Sequence, residues 1–272
     1  MTNDIITQLR QLYKEAFSED SEAYLNYFFD TFESRDCYTL IEERLVNAMA
    51  YVVRKPCMIS GERVELPFIV ALATKAGAKR QGKASELMIR ILKDLHDKGD
   101  AFVALYPAVG HNFYAKFGFE TVSRMEEKAI IGTISDCSYF FNKIERCTLE
   151  ENTHKRVDKI NKKFFSGFDN HFIYDKAVIE RLFAEYAAED IGLYIVMRGG
   201  KDMAYCFADN KEKELNHVIG CYESIERVRE WIGYKYLVPS ETGEFCQFRA
   251  IHAKNKCMVT LRKSKNFFID KY

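Results

Sequence analysis

A basic, glycine-containing segment between a strand-like stretch and a helix-like stretch most constrains how this chain can fold. Residues 64–74 have the sequence VELPFIVALAT, which is typical of a buried strand. Residues 77–85, GAKRQGKAS, follow directly, and a stripe of apolar side chains at steps of three and four then predicts an amphipathic helix that ends near Gly99. The stripe consists of Ala84, Leu87, Met88, Ile91, Leu92 and Leu95. The sequence therefore predicts a strand, a tight loop and a helix N-terminus in direct succession.

The composition of this loop indicates an anion-binding site. The first four N–H groups of a helix lack helical partners, and the helix dipole makes that end positive. Residues 78–81 are Ala, Lys, Arg and Gln, which are poor capping residues, so the N–H groups stay available to an anion. Lys79, Arg80 and Lys83 would add positive charge. The alternative interpretation is a helix start that is solvated by water.

Residues 77–85 also come close to the triphosphate-binding pattern G-x-x-x-x-G-K-[ST]. Gly77, Gly82 and Lys83 fit, but Ala84 stands where a hydroxyl group should bind magnesium. The next strand-like segment, DAFVALYPA at residues 100–108, ends without the aspartate that supports the metal. Because both metal ligands are missing, we reject a nucleoside triphosphatase and predict no metal site.

Two motifs in order resemble the GCN5-related N-acetyltransferase (GNAT) superfamily. Lys79, Gly82 and Ala84 occupy the defined places of its [RQ]-x-x-G-x-[GA] loop, with lysine in the first place. FYAKFGF at residues 113–119 resembles the later Y-x-x-x-G-F element. Within the superfamily the sequence is similar to the enhanced-intracellular-survival type. Members of that type continue into a sterol-carrier-like domain, which this sequence is expected to lack.

The resemblance implies an α+β fold (a mixed α/β sheet) with two tandem acyl-CoA N-acyltransferase (GNAT)-like domains, the second degenerate. A predicted order of helices, strands and helix occurs twice along the chain, which agrees with this organisation. We expect the acetyltransferase domain at residues 1–135 and the degenerate domain at 136–272. SIERVREWIGYKYL, residues 224–237, is predicted to form the closing helix of the repeat.

The resemblance also implies a reaction and its site residues. The family transfers an acetyl group from acetyl-CoA, a co-substrate, directly to a primary amine without a metal. The strand end would pair with the pantetheine arm, the loop would hold the pyrophosphate, and Tyr114 would be the catalytic proton donor to the departing thiolate. By local composition alone, Tyr114 would instead belong to an aromatic core. The implied acetyl-CoA-binding residues are Leu72, Ala73, Thr74, Lys79, Arg80, Gln81, Gly82, Lys83, Ala84 and Ser85.

Charge and composition argue against nucleic acid and membranes as partners of this protein. The 40 basic and 40 acidic residues cancel, so no global field favours nucleic acid or an anionic membrane. No apolar run approaches the roughly 20 residues that a membrane helix needs. Eight cysteines lack zinc spacing, and with no signal peptide at the start they predict reduced thiols in a cytoplasmic protein.

The acceptor is expected to be the amine of a small molecule or of a peptide. The sequence leaves open which amine this is, and it names neither the general base nor the oligomeric state, so a homo-oligomer stays open. His111 and the C-terminal carboxylate of Tyr272 are candidates for the proton acceptor, and the alternative for His111 is a histidine of a surface loop. The alternative function is a non-catalytic acyl-CoA sensor with a degenerate acetyltransferase fold.

Overall fold

Helices and strands alternate along the chain in the computed structural model, which describes residues 2–32, 36–107, 110–131, 142–240, 246–251 and 267–268. The helices are α1 (Asn3–Ala16), α2 (Glu22–Thr31), α3 (Lys83–Asp97), α4 (His111–Ala115), α5 (Glu151–Phe165), α6 (Lys176–Ala188) and α7 (Tyr222–Glu226). The strands are β1 (Cys37–Glu42), β2 (Leu45–Ile59), β3 (Glu62–Thr74), β4 (Phe102–Leu105), β5 (Glu120–Ser123), β6 (Met125–Ala129), β7 (Asn142–Arg146), β8 (Asn170–Phe172), β9 (Gly192–Arg198), β10 (Lys201–Asp209), β11 (Glu214–Gly220), β12 (Lys235–Pro239), β13 (Cys246–Ala250) and β14 (Phe267–Phe268).

The chain divides into two compact units. The first unit comprises Met1–Pro56, Val64–Val122 and Cys246–Arg262, and the second comprises Cys57–Arg63, Ser123–Phe245 and Lys263–Tyr272. This division is discontinuous, because β13 forms an antiparallel ladder with β4 of the first unit. The predicted domains at residues 1–135 and 136–272 have a single boundary and stay a prediction.

The first unit is a sheet covered by helices on both faces. Its strands follow the order β1-β2-β3-β4-β13-β5. Side chains alternate across β2: Ala48, Ala50 and Val52 pack in the cluster formed with α3, whereas Met49 and Tyr51 pack in the cluster formed with α1 and α2. This alternation follows from the two-residue period of a strand, and it explains why β2 is apolar throughout.

The parallel pair β3 and β4 separates before β3 ends. The ladder contains the pairs Phe68–Ala104 and Ile69–Leu105, while β3 continues to Thr74. Two residues beyond the last pair, Ala71 has a φ of 51°, a left-handed conformation that side chains rarely adopt and that bends a strand. Beyond Ile69, the N–H and C=O groups on this edge of β3 are therefore released from the β4 ladder.

The second unit contains a sheet with the order β6-β12-β11-β10-β9-β7. Helix α5 packs against β10 and β11, and α6 packs against β9. The parallel pair β11 and β12 also separates early, after Glu214–Lys235 and Leu215–Tyr236. Two residues beyond the last pair, His217 has a φ of 50°. The second unit thus repeats the bent, separating strand of the first.

The predicted mixed α/β architecture is confirmed, and one predicted helix is wrong. Instead of a helix over residues 224–237, the chain forms the short α7, a 3₁₀ turn at Arg229–Trp231 and β12. Ile225, Val228 and Trp231 are buried at three-residue steps, which a tight turn satisfies as well as a helix does. Gly233, with a φ of 89°, then redirects the chain into β12.

In the described residues, no helix combines the length and the apolar character that crossing a bilayer requires.

Candidate functional site

The loop between β3 and α3 is shaped by two left-handed residues. Arg80 has a φ of 64° and Gly82 a φ of 80°. Gly82 occupies the N-cap position of α3 and has no side chain with which to cap it. The side-chain amide of Gln81 donates a hydrogen bond to the carbonyl oxygen of Gly77 at 2.8 Å, which closes the loop on itself. The N–H groups at the start of α3 are thus left for solvent or a ligand, as the sequence predicts.

A pocket of about 360 Å³ lies against this loop. We call it the loop pocket. Its lining brings together most of the predicted loop residues and adds three that the sequence analysis did not assign to the site, Ala78, Phe113 and Lys116. Gln81 does not line it, because its side chain is bound to Gly77. The lining residues are Thr74, Ala78, Lys79, Arg80, Gly82, Lys83, Ala84, Ser85, Phe113 and Lys116.

The positive charge of the loop pocket differs from the charge that the sequence predicts. Lys83 forms an ion pair with Glu42, so part of its charge is already neutralised. Lys116 instead reaches the pocket from the end of α4, donates a hydrogen bond to Ser85 Oγ at 2.9 Å and lies 4.3 Å from the ring centre of Phe113. Within the described part of the chain, Lys79, Arg80 and Lys116 form no ion pair with a carboxylate. These three cations leave the pocket suited to an anion.

A larger cleft of about 1100 Å³ runs along the released edge of β3. We call it the strand cleft. It shares Thr74, Lys79, Arg80, Ala84 and Phe113 with the loop pocket. Leu72 and Ala73 line it as well, as does Tyr106 just after β4. An extended ligand in this cleft would therefore meet unpaired backbone groups of β3, much as an added strand does at a sheet edge.

Tyr114 belongs both to the core and to the strand cleft. Its side chain is 4% exposed and packs edge-on against Phe113 at 5.0 Å between ring centres, within the cluster of α3 and β4. It also lines the strand cleft, and in the described structure its hydroxyl has no hydrogen-bond partner. Burial raises the pKa of Tyr114 to about 12. The hydroxyl is therefore a protonated, uncommitted donor at neutral pH.

The strand cleft also has an acidic side that the sequence analysis missed. Glu15 and Glu19, with Phe17 between them, line it from the end of α1 and the following turn. Glu15 accepts a hydrogen bond from Gln11 at 2.8 Å, and neither carboxylate has a cationic partner in the described residues. No local motif marks these residues, because only the packing of α1 near the end of β3 brings them to the cleft.

The two candidate proton acceptors, Tyr272 and the side chain of His111, lie outside the described residues. Within the described ranges, no group of three His, Cys, Asp or Glu side chains is arranged to hold a metal ion.

The basic loop, the released edge of β3 and the buried Tyr114 lie together in one part of the chain, and this part is similar to a known family. Residues 1–122 match the family model described as an acetyltransferase (GNAT) domain. This span holds the whole lining of the strand cleft and of the loop pocket. The part of the chain that carries the candidate site therefore matches the predicted superfamily, and the match supports acyl transfer as its chemistry. No curated protein matches the sequence significantly.

Solved structures of such enzymes share the fold at low sequence identity. A probable N-acyltransferase from Enterococcus faecalis V583 has a TM-score of 0.65 at 12% identity, over 92% of this chain and 71% of that chain. A GCN5-related N-acetyltransferase from Kribbella flavida has a TM-score of 0.64 at 13% identity, over 92% and 71%. Eis1 from Mycobacterium abscessus has a TM-score of 0.61 at 11% identity, over 93% and 72%. At these identities the likeness concerns the fold alone.

Proposed function

We propose that the protein is an acetyl-CoA-dependent N-acetyltransferase that transfers the acetyl group directly to a primary amine of a small molecule or of a lysine side chain. One observation carries the proposal: the released edge of β3, the uncapped start of α3 and the hydroxyl of Tyr114 all face one connected set of lining residues. The edge of β3 suits the amide groups of the pantetheine arm, and the start of α3 suits the pyrophosphate anion. The hydroxyl of Tyr114 suits the departing sulfur.

In the proposed complex, the loop pocket holds the pyrophosphate of acetyl-CoA. Backbone N–H groups of residues 80–85 would donate to the phosphate oxygens, and Lys79, Arg80 and Lys116 would supply countercharge. Leu72, Ala73 and Thr74 would pair with the pantetheine arm through main-chain groups. Gln81 keeps the loop closed, and Lys83, held by Glu42, contributes mainly its backbone N–H.

The proposed reaction forms one bond and breaks one. The amine nitrogen, in its neutral form, attacks the thioester carbonyl carbon and forms the C–N bond; the tetrahedral intermediate loses one N–H proton to water and collapses, and the C–S bond breaks with the electron pair staying on sulfur. A free alkylamine has a pKa of about 10, so a proton must leave it before the attack. Tyr114 donates a hydrogen bond to the sulfur as negative charge develops there. The protein thus stabilises the leaving group with a donor that burial keeps protonated.

The experiment that tests this proposal measures binding and turnover separately. Isothermal titration is expected to show acetyl-CoA binding without added metal, and thiol release is expected with at least one amine from a panel of aminoglycosides, polyamines and lysine peptides. Binding without release across the panel would favour the acyl-CoA sensor. Tight binding of Mg-ATP with no response to acetyl-CoA would contradict both.

Gly82→Ala is expected to weaken acetyl-CoA binding by about 5- to 30-fold. An added Cβ at Gly82 would meet no atom within 4 Å, so the effect comes from the left-handed φ of 80°. A non-glycine residue in that conformation costs roughly 1–2 kcal/mol, which the loop would relieve by changing shape. Gly77→Ala is the matched control, because its Cβ also meets no atom within 4 Å and its φ is not positive. Equal affinities of the two variants by isothermal titration would contradict a shape-dependent loop.

Glu15 and Glu19 support an acceptor that carries a second positive charge. The double substitution Glu15→Gln, Glu19→Gln is expected to raise the KM of a polyamine such as spermidine by about 2- to 30-fold, because each exposed ion pair contributes roughly 0.2–1 kcal/mol. The KM of a simple monoamine is expected to stay unchanged. Glu22→Gln is the control, since Glu22 is paired with Lys14 at 2.7 Å and does not line the strand cleft. A similar rise for both amines would rule out charge recognition by these carboxylates.

We also propose that the protein works in the reducing environment of the cytoplasm. All six described cysteines are free thiols: Cys37, Cys57, Cys147, Cys206, Cys221 and Cys246. We also propose that the protein is related to the enhanced-intracellular-survival type and that the second unit is a degenerate repeat of the first, because a parallel strand pair separates early in both units.

A further inference from the structure

The second unit has a cleft of its own, of about 710 Å³. It lies between the C-terminal half of α5, the start of β10 and the end of β11. We call it the lysine cleft. Its volume is within the roughly 300–1,000 Å³ typical of small-molecule sites. Its apolar lining consists of Ile160, Phe164, Phe168 and Met203, and its cationic lining of Lys159, Lys163 and Lys201.

The lysine cleft and the strand cleft share two kinds of wall, the latter part of a helix that precedes the strands and the end of a bent strand. In the first unit, α1 and α2 precede the strands that end in the bent β3; in the second, α5 and α6 precede the strands that end in the bent β11. The strand cleft is lined by the end of α1 and the end of β3. The lysine cleft is lined by the latter half of α5 and by Gly220 and Cys221 at the end of β11. The helix walls differ in charge: Glu15 and Glu19 lie at the end of α1 and in the following turn, whereas α5 presents Lys159 and Lys163.

The positive charge of the lysine cleft is not neutralised by ion pairs with carboxylates of the described residues. Lys159, Lys163 and Lys201 form no ion pair among the described residues. The carboxylate that shares the lining, Asp202, is bound by Arg156 through two hydrogen bonds, Nε to Oδ2 at 3.0 Å and Nη2 to Oδ1 at 2.8 Å. Such a bidentate pair leaves Asp202 little charge to offer the lysines. The cleft thus joins an apolar surface to three available cations.

The chain after β11 does not support a CoA ligand at this site. It passes from Gly220 through Cys221 directly into the five-residue α7, without a basic glycine loop such as residues 77–85. A pyrophosphate would find no cradle of backbone N–H groups there. The ligand that fits is smaller and simpler, with one anionic group and an apolar body.

We propose that the lysine cleft is a non-catalytic binding site for a single-chain carboxylate amphiphile of the fatty-acid class. The carboxylate binds among Lys159, Lys163 and Lys201, and the alkyl chain lies against Phe164 and Phe168. This site is independent of acetyl transfer in the first unit, so its test does not require turnover.

Cys221 provides a local readout for the test. Its thiol is free and partly exposed, and it lines the cleft. With the full chain, dodecanoate is expected to slow alkylation of Cys221 by iodoacetamide in a saturable way, followed by peptide mass spectrometry. Acetate should give no protection, because it lacks the chain, and dodecanol should protect far less, because it lacks the charge. Absence of protection by dodecanoate, or equal protection by dodecanol, would overturn the proposal.

Substitutions of lysines that line the cleft can be compared with substitutions of lysines on α5 that do not line it. The triple variant Lys159→Gln, Lys163→Gln, Lys201→Gln is expected to raise the dodecanoate concentration for half-protection about tenfold. Lys155→Gln with Lys162→Gln is the matched control, since these lysines are paired with Glu151 at 3.5 Å and Asp158 at 2.6 Å and do not line the cleft. All five positions are exposed, so both variants are expected to fold. A triple variant that binds like the wild type, or a control that loses binding equally, would refute the assignment.

Discussion

Tyr114→Phe is expected to lower kcat by about 10²- to 10⁴-fold while leaving the KM for acetyl-CoA nearly unchanged. The substitution removes only the hydroxyl, and the ring keeps its contacts with Phe113 and Phe119. The loss should therefore be confined to stabilisation of the departing thiolate. Steady-state thiol release with a saturating amine measures it.

Burial of Tyr114 also fixes how the rate depends on pH. Its pKa is raised to about 12, so the donor form persists at every pH below that value and is lost only above it. We therefore expect no fall in kcat between about pH 7 and pH 9 from ionisation of Tyr114. A thiol has a pKa of about 8.5, so Tyr114 stabilises the sulfur by hydrogen bonding more than by complete proton transfer.

The control for this prediction is Tyr106→Phe, the same change at a second tyrosine of the strand cleft. It is expected to alter kcat by less than about threefold, since no role in bond breaking is assigned to Tyr106. If Tyr114→Phe keeps full turnover, or if both variants lose activity alike, Tyr114 is only a core residue.

Ala84→Phe is expected to weaken acetyl-CoA binding by about 100-fold or more. Ala84 lines both the loop pocket and the strand cleft, at the first turn of α3 where the proposed pyrophosphate meets the backbone. A phenyl ring there would occupy the space that the ligand needs and hold it away from the N–H groups, and small misplacements at a site can cost about 10²-fold. Isothermal titration with acetyl-CoA is the measurement.

Ala84→Ser is the matched variant, because it restores the G-x-x-x-x-G-K-S pattern while staying small. We expect it to bind acetyl-CoA like the wild type. We expect no gain of affinity for Mg-ATP, since the strand after α3 ends without an aspartate that would support the magnesium ion. Thermal unfolding of both variants checks that α3 is intact. Unimpaired acetyl-CoA binding by Ala84→Phe would place the ligand elsewhere.

Much of the candidate site could be predicted from the sequence, because it lies within two short motifs. The order strand, basic loop and amphipathic helix is local, and Leu72 lines the strand cleft while Gly82 and Ala84 line the loop pocket; their binding of acetyl-CoA stays a prediction. The partners of the side chains could not be predicted from the sequence. Gln81 donates a hydrogen bond to Gly77, and Lys83 pairs with Glu42 of β1; both contacts depend on the three-dimensional geometry and not on residue spacing.

In the fold, too, elements set by local sequence could be predicted, whereas contacts between distant segments could not. The buried stripe of α3 and the hairpin of β9 and β10 follow from local periodicity and from Gly199 and Gly200. The predicted closing helix failed because Ile225, Val228 and Trp231 fit the periodicity of a helix although the chain turns at Gly233. The place of β13 beside β4 could not be predicted either, since about 140 residues separate the two strands.

The sequence by itself determined a mixed α/β chain with an uncapped, basic helix start and a tyrosine in a recognisable motif, because these features depend on neighbours a few residues apart. Only the tertiary structure decided which charges lie at each cleft. At the loop pocket Lys83 is paired with Glu42 and Lys116 adds a positive charge without a carboxylate partner among the described residues, Glu15 and Glu19 line the strand cleft, and three lysines line the cleft of the second unit. Pockets are made by packing of distant segments, so their charge is a property of the fold.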